Sequence, residues 1–165
     1  MKVLRITAEN RNQYENTSVK FKGKIEIANG LGLVSFISLE ASYSIIAEAG
    51  SGIKAGWRIE AGSGIEAGWG IKAGEGIKAG SGIKAGWGIE AKWLSIELRI
   101  FAGLCLWRLP TPKEMEIKAK IKRGTVCFGN VVDGKGRSRT IKQTEREVTN
   151  LLEDAANEMV EKGAV

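Results

Sequence analysis

Across residues 53–91 the chain repeats one six-residue phrase: an isoleucine, a charged residue, an alanine, then a glycine-rich turn. The isoleucines stand at 53, 59, 65, 71, 77, 83 and 89, each with an alanine two places on. In a short strand the Ile and Ala of such a phrase point one way and the residue between them points the other. The outward set is then Lys54, Glu60, Glu66, Lys72, Lys78, Lys84 and Glu90, a solvated ionic face. The G-x-G that follows reads as a corner, because glycine accepts positive φ without a steric penalty. Helix competes poorly. A six-residue apolar period smears around a 3.6-residue turn, and glycine costs a helix interior roughly 1 kcal/mol against alanine. A flexible glycine-rich linker is the remaining alternative, and the regular isoleucines and tryptophans argue against it.

A single hexad cannot bury its isoleucine, whereas stacked coils can, at roughly 1.5–3 kcal/mol for each side chain fully covered. The expected fold is therefore mainly β: a β-solenoid of hexapeptide-like coils, followed by a β-hairpin and one C-terminal α-helix. A degraded form of the period runs upstream through Val19/Phe21, Ile25/Ile27, Leu31/Leu33 and Ile37/Leu39, whose larger side chains suggest a wider first part. Around "EASYSIIAEAG" the phase slips. We place the solenoid body at 18–109, with residues 1–17 as a leading strand and polar loop that cap one end, since an open solenoid end is an unpaired sheet edge.

These hexads resemble those of the hexapeptide-repeat proteins, and the resemblance implies a left-handed β-helix with three hexads, eighteen residues, per coil. Opposite-charge matching between rungs does not separate this from a twelve-residue coil. One departure stands out. Where that family carries a small residue two places before the aliphatic one, this chain has Ser51, Trp57, Ser63, Trp69, Glu75, Ser81 and Trp87. The resemblance also suggests acyl transfer to nucleotide sugars or from coenzyme A thioesters, which uses a histidine base. This chain contains no histidine. The commonest general base and zinc ligand are thereby missing, and no catalytic residue, cofactor or metal site is expected. The runs of G-I-[KE]-A-G-x are similar as well to repeat proteins of phages and mobile elements, which implies a host protein or nucleoprotein complex, such as a nucleic-acid-guided defence complex, as the target.

After the prolines of "LPTP", residues 110–142 read as a basic hairpin and loop, with Met115, Ile117, Ala119 and Ile121 alternating against charged residues and Arg123-Gly124 turning into 125–132. This segment carries nine lysines and arginines against three acids, in a chain whose net charge is +6. Lys118, Lys120, Lys122, Arg123, Lys135, Arg137, Arg139 and Lys142 are its candidate nucleic-acid contacts, through phosphate attraction and counterion release; a solubilising basic face is the plainer reading. Residues 143–165 read as an amphipathic helix with a Thr144/Glu147 capping box. Its stripe of Val148, Leu151, Leu152, Ala155 and Met159 either covers the rest of the fold or pairs with a second copy to make a homodimer.

Trp57, Trp69, Trp87 and Trp93 fall at corners, where a large aromatic is hard to bury, and are the candidate partner-binding residues. The alternative is that successive indoles stack on one another. Cys105 and Cys127 lack a histidine partner and read as small buried residues. Nothing at the start reads as a signal peptide and no apolar run reaches the roughly 20 residues of a membrane span. A cytoplasmic, non-membrane, non-enzymatic binding protein is the expectation. A self-assembling structural solenoid and a nucleic-acid-binding module are the alternatives.

Overall fold

Ile53, Ile71 and Ile89 stand side by side on three successive rungs, eighteen residues apart, in the computed structural model, which describes residues 1–104 and 108–132 and the backbone of 138 and 139. In chain order the elements are β1 (Val3–Ile6), the short helix α1 (Arg11–Tyr14), β2 (Ser18–Phe21), β3 (Lys24–Ile27), β4 (Gly32–Phe36), β5 (Ser38–Ala41), β6 (Ile45–Ala47) and β7 (Ser51–Ala55). They continue with β8 (Arg58–Ala61), β9 (Ile65–Ala67), β10 (Ile71–Ala73), β11 (Gly76–Ala79), β12 (Ile83–Ala85), β13 (Ile89–Ala102), β14 (Glu116–Phe128), β15 (Asn130–Val132) and β16 (Ser138–Arg139).

The strands stack into three ladders. Face A is β2, β5, β8 and β11; face B is β1, β3, β6, β9 and β12; face C is β4, β7 and β10. The long β13 and β14 then wrap all three faces in turn. Every rung through β15 pairs parallel, so the chain is a parallel β-solenoid of about five turns. Its interior is the expected one. Each hexad isoleucine is at most 1% exposed and the alanines are buried beside them.

The corner glycines have a different cause from the one expected. Among glycines 52–88 none has a left-handed φ. What excludes a side chain is the rung below: a β-carbon on Gly74 would lie 2.0 Å from the carbonyl oxygen of Gly56, and one on Gly86 would lie 2.1 Å from that of Gly68. Coils separated by one strand spacing leave no room at that position for even a methyl group.

The upstream phase also differs. Val34/Phe36 and Leu39/Ala41 point inward, whereas Leu33 is 41% and Ile37 53% exposed. The first coils are longer, with Ile25, Ile45 and Ile65 twenty residues apart on face B. The extra residues sit at the corner between faces B and C, where Gly30, Gly32 and Gly50 do take positive φ. Buried Ser51 fastens this corner: its hydroxyl donates to the Ala28 carbonyl at 2.6 Å and accepts from the Leu31 amide at 3.0 Å.

No reversal occurs at Arg123-Gly124. β14 runs straight through that pair and lies parallel to β13 and to β15, so the expected hairpin strand is instead a further turn of the solenoid, with Gly124 and Gly129 at positive φ. An apolar inward residue at Ile117 gains more by closing the top of the core than a free hairpin could offer it; it is fully buried. The antiparallel pairing comes later, between β15 and β16. Cys127 is exposed rather than buried, and its thiol faces the Thr125 carbonyl at 3.8 Å. Cys105, the loop residues Lys135 and Arg137, Lys142, and the whole 143–165 segment with Val148, Leu151, Leu152, Ala155 and Met159 lie outside the described residues.

At the other end the polar loop covers the free edge of face C. The Arg11 guanidinium donates to the carbonyls of Leu31 and Leu33, and the Asn16 amide donates to that of Ser35. Arg5 bridges Glu26 and Glu48 across two rungs of face B. Among the described residues no helix is long and apolar enough to cross a membrane.

Candidate functional site: the tryptophan corner

With eighteen residues per coil, every third hexad returns to the same corner, and this sorts the tryptophans. Trp57, Glu75 and Trp93 share the corner between faces C and A, joined by backbone hydrogen bonds from the Glu75 amide to Trp57 and from the Trp93 amide to Glu75. Trp69 and Trp87 share the corner between faces B and C. Their rings stack with centroids 4.8 Å apart and planes 7° apart. That separation is the spacing of neighbouring strands, so the backbone itself sets the indoles at contact distance.

The other two indoles are tied down by cations. Arg58 lies 4.5 Å over the exposed Trp57 ring, and the Lys122 ammonium lies 4.4 Å over Trp93. The second face of Trp93 rests on Gly76, where a β-carbon would come 2.2 Å from the ring. Trp57 remains 52% exposed and Trp87 38% exposed, while Trp69 and Trp93 are half-buried.

The Trp69/Trp87 corner is also where the coil ladder is interrupted. The longer loops of the first coils lie here, and so do both ends of the connection between β13 and β14, residues 103–104 and 108–115. Loops on a rigid scaffold are where binding residues concentrate. A hollow lies on each side of the indole pair. One, of about 470 Å³, opens on face B among Glu48, Glu66, Lys84, Trp69, Trp87 and Arg108. The second, of about 380 Å³, opens on face C, with Leu33 and both indoles as its apolar part and Lys72, Glu90, Lys113, Glu116 and Lys118 around it. The second of these ends is braced by Glu114, whose carboxylate accepts from Arg108 at 2.6 and 2.9 Å and from the Thr111 amide at 2.8 Å. The Arg108 guanidinium, and after it the Thr111 amide, hold the Glu114 carboxyl down at about 2.

The candidate cations do not form one flat face. Lys118 is in register with Glu90 on face C and pairs with Glu116 at 2.9 Å; Glu116, and more weakly Glu90, hold its pKa above the ordinary lysine value. Lys120 is in register with Trp93, Lys122 covers that ring, and Arg123 pairs with Glu97 at 2.8 Å on the side of face A. Arg139 is placed only through its backbone, in β16. Leu33, Lys113 and Glu116, which line the face C hollow, were not singled out by sequence reasoning. The available signal was the broken period: the interruptions at residues 28–33 and 48–52 and the described residues 103–104 and 108–115 all fall at one corner.

Fold and corner together define a class: a parallel β-solenoid carrying an aromatic ridge between two open hollows. Comparison with protein-family models, with curated proteins and with solved structures gave no match to this chain.

Proposed function

We propose that this protein is a non-enzymatic binding module that docks a protein target at the Trp69/Trp87 corner and blocks it by occupancy. The observation that carries this reading is the stacked, part-exposed indole pair standing between two hollows at the corner that also gathers the long loops. Stacked aromatics lose little conformational entropy on binding, and part-exposed tryptophan beside an apolar hollow has the character of an interface hot spot. The likeness of the hexads to repeat proteins of phages and mobile elements favours a host defence complex, protein or nucleoprotein, as the target, and inhibition as the outcome.

Direct binding of single-stranded nucleic acid has less support. Bases stack on free ring faces, and here Trp69 and Trp87 each give one face to the other, while Gly76 and Lys122 both lie against Trp93. Three of the four described candidate cations, Lys118, Lys122 and Arg123, are already engaged with a carboxylate or a ring. End-to-end self-assembly is disfavoured by lysines at both ends of the solenoid, Lys20 beside the β2 edge and Lys120 on β14.

The test is capture from bacterial lysate at low and high salt, with and without nuclease, using the wild type, Trp87→Ala and Leu33→Glu. The expected result is a nuclease-resistant protein partner, held more weakly at high salt but not released by it, that both variants lose. A catch that nuclease removes and the variants retain would move the function to the basic segment.

A further inference from the structure

Resting on the protein-docking reading, we infer that the hollow on face C receives an apolar side chain carried on an acidic stretch of the partner. Its size suits one large side chain and its immediate neighbours: about 380 Å³ lies beside Leu33, Trp69 and Trp87. Leu33, turned outward by the phase shift that brings Val34 into the core, stands 41% exposed at its mouth.

The charges around that mouth are unbalanced. Up face C the outward residues are Ser35, Lys54, Lys72, Glu90 and Lys118. Lys54 and Lys72 are direct neighbours across one rung, an arrangement that repels. Lys72 is shared with Glu90 at 3.0 Å and Lys118 with Glu116 at 2.9 Å. Among the described residues Lys54 and Lys113 have no carboxylate within ion-pair distance. Of the hollow's own lining, Lys72, Lys113 and Lys118 therefore face Glu90 and Glu116, and Lys54 on the adjoining rung adds a further positive charge.

The hollow on the other side of the indoles is balanced, with Glu48 and Glu66 against Lys84 and Arg108. The ridge thus separates a neutral side from a cationic one. Carboxylates flanking the inserted side chain would relieve the Lys54/Lys72 repulsion and meet Lys113. A basic partner would meet a surplus of its own sign, and a charge mismatch of this kind is how surfaces reject partners.

The test uses a synthetic peptide with one phenylalanine between runs of aspartate and serine. Its controls carry lysine for aspartate, or alanine for phenylalanine. Binding is read from the indole N–H signals of Trp69 and Trp87 by NMR. Only the aspartate–phenylalanine peptide is expected to shift them, with an affinity that falls several-fold from low to high salt. Leu33→Glu should abolish the shift, and Lys72→Glu with Lys113→Glu should weaken binding by about tenfold or more. Equal binding of the lysine peptide, or no shift by any peptide at millimolar concentration, overturns the inference. The partner captured from lysate separates the two readings: release by Leu33→Glu but not by the paired lysine variant overturns the acidic partner alone, whereas retention by both Leu33→Glu and Trp87→Ala overturns docking at this corner.

Discussion

Gly80 passes so close over Gly62 on the coil beneath that a β-carbon at position 80 would lie 2.0 Å from the Gly62 carbonyl oxygen. The same contact recurs between Gly74 and Gly56 and between Gly86 and Gly68, so the first glycine of each G-x-G sets the rung spacing. Gly64, the second glycine of its corner, is freer. A β-carbon on Gly64 would find its nearest neighbour, the Gly82 carbonyl oxygen, at 3.5 Å.

Gly80→Ala is therefore expected to destabilise the fold by about 1–3 kcal/mol, the usual cost of overpacking. Gly64→Ala should be close to neutral. Thermal unfolding of the pair measures the difference; equal melting temperatures would refute close approach as the reason for the glycines.

The core predicts a second outcome. Ile71, 1% exposed, is flanked in register by Ile53 and Ile89. Ile71→Ala should cost about 2–5 kcal/mol, because neighbouring rungs fixed by backbone hydrogen bonds cannot collapse into the space. Urea unfolding, with an unchanged slope and a lower midpoint, is the check.

The stacked indoles give a spectroscopic prediction. Trp69 and Trp87, nearly parallel at 4.8 Å, should shift each other's ring protons upfield in the NMR spectrum, and Trp87→Ala should return those of Trp69 toward free-indole positions. Loss of the pair should cost about 0.5–1.5 kcal/mol beyond the buried area. Trp57→Ala, at another corner, should leave the Trp69 ring shifts intact.

Glu114 makes a pH prediction. Its carboxyl titrates at about 2 in the folded chain, against an ordinary 4.5, because Arg108 and the Thr111 amide favour the charged form. The brace it gives residues 108–114 is therefore fully present above pH 4.5 and is lost as pH falls toward 2. Carbon-detected NMR titration of Glu114 in the folded protein should show this low midpoint, and Arg108→Ala should move it back toward the ordinary value. A midpoint near 4.5 in the wild type would show that the brace does not form in solution.

The isoleucine hexads alone determined the solenoid and its ionic exterior, because side-chain alternation and the need to cover an apolar row act within each six-residue unit. They did not determine why the glycines are there, since that contact is made between coils, nor the inward phase of residues 31–41, where the loops at Gly30 and Gly50 shift Val34 into the place expected of Leu33. Local pattern equally favoured a turn at Arg123-Gly124, and only the uncovered top of the core, reached by Ile117, made that stretch another rung. The four tryptophans were visible as corner residues. Which of them meet was decided by the number of residues per coil: eighteen brings Trp69 under Trp87 and leaves Trp57 to Glu75. Contacts within a strand can be read along the chain; contacts between rungs depend on a register that only the stacked structure fixes.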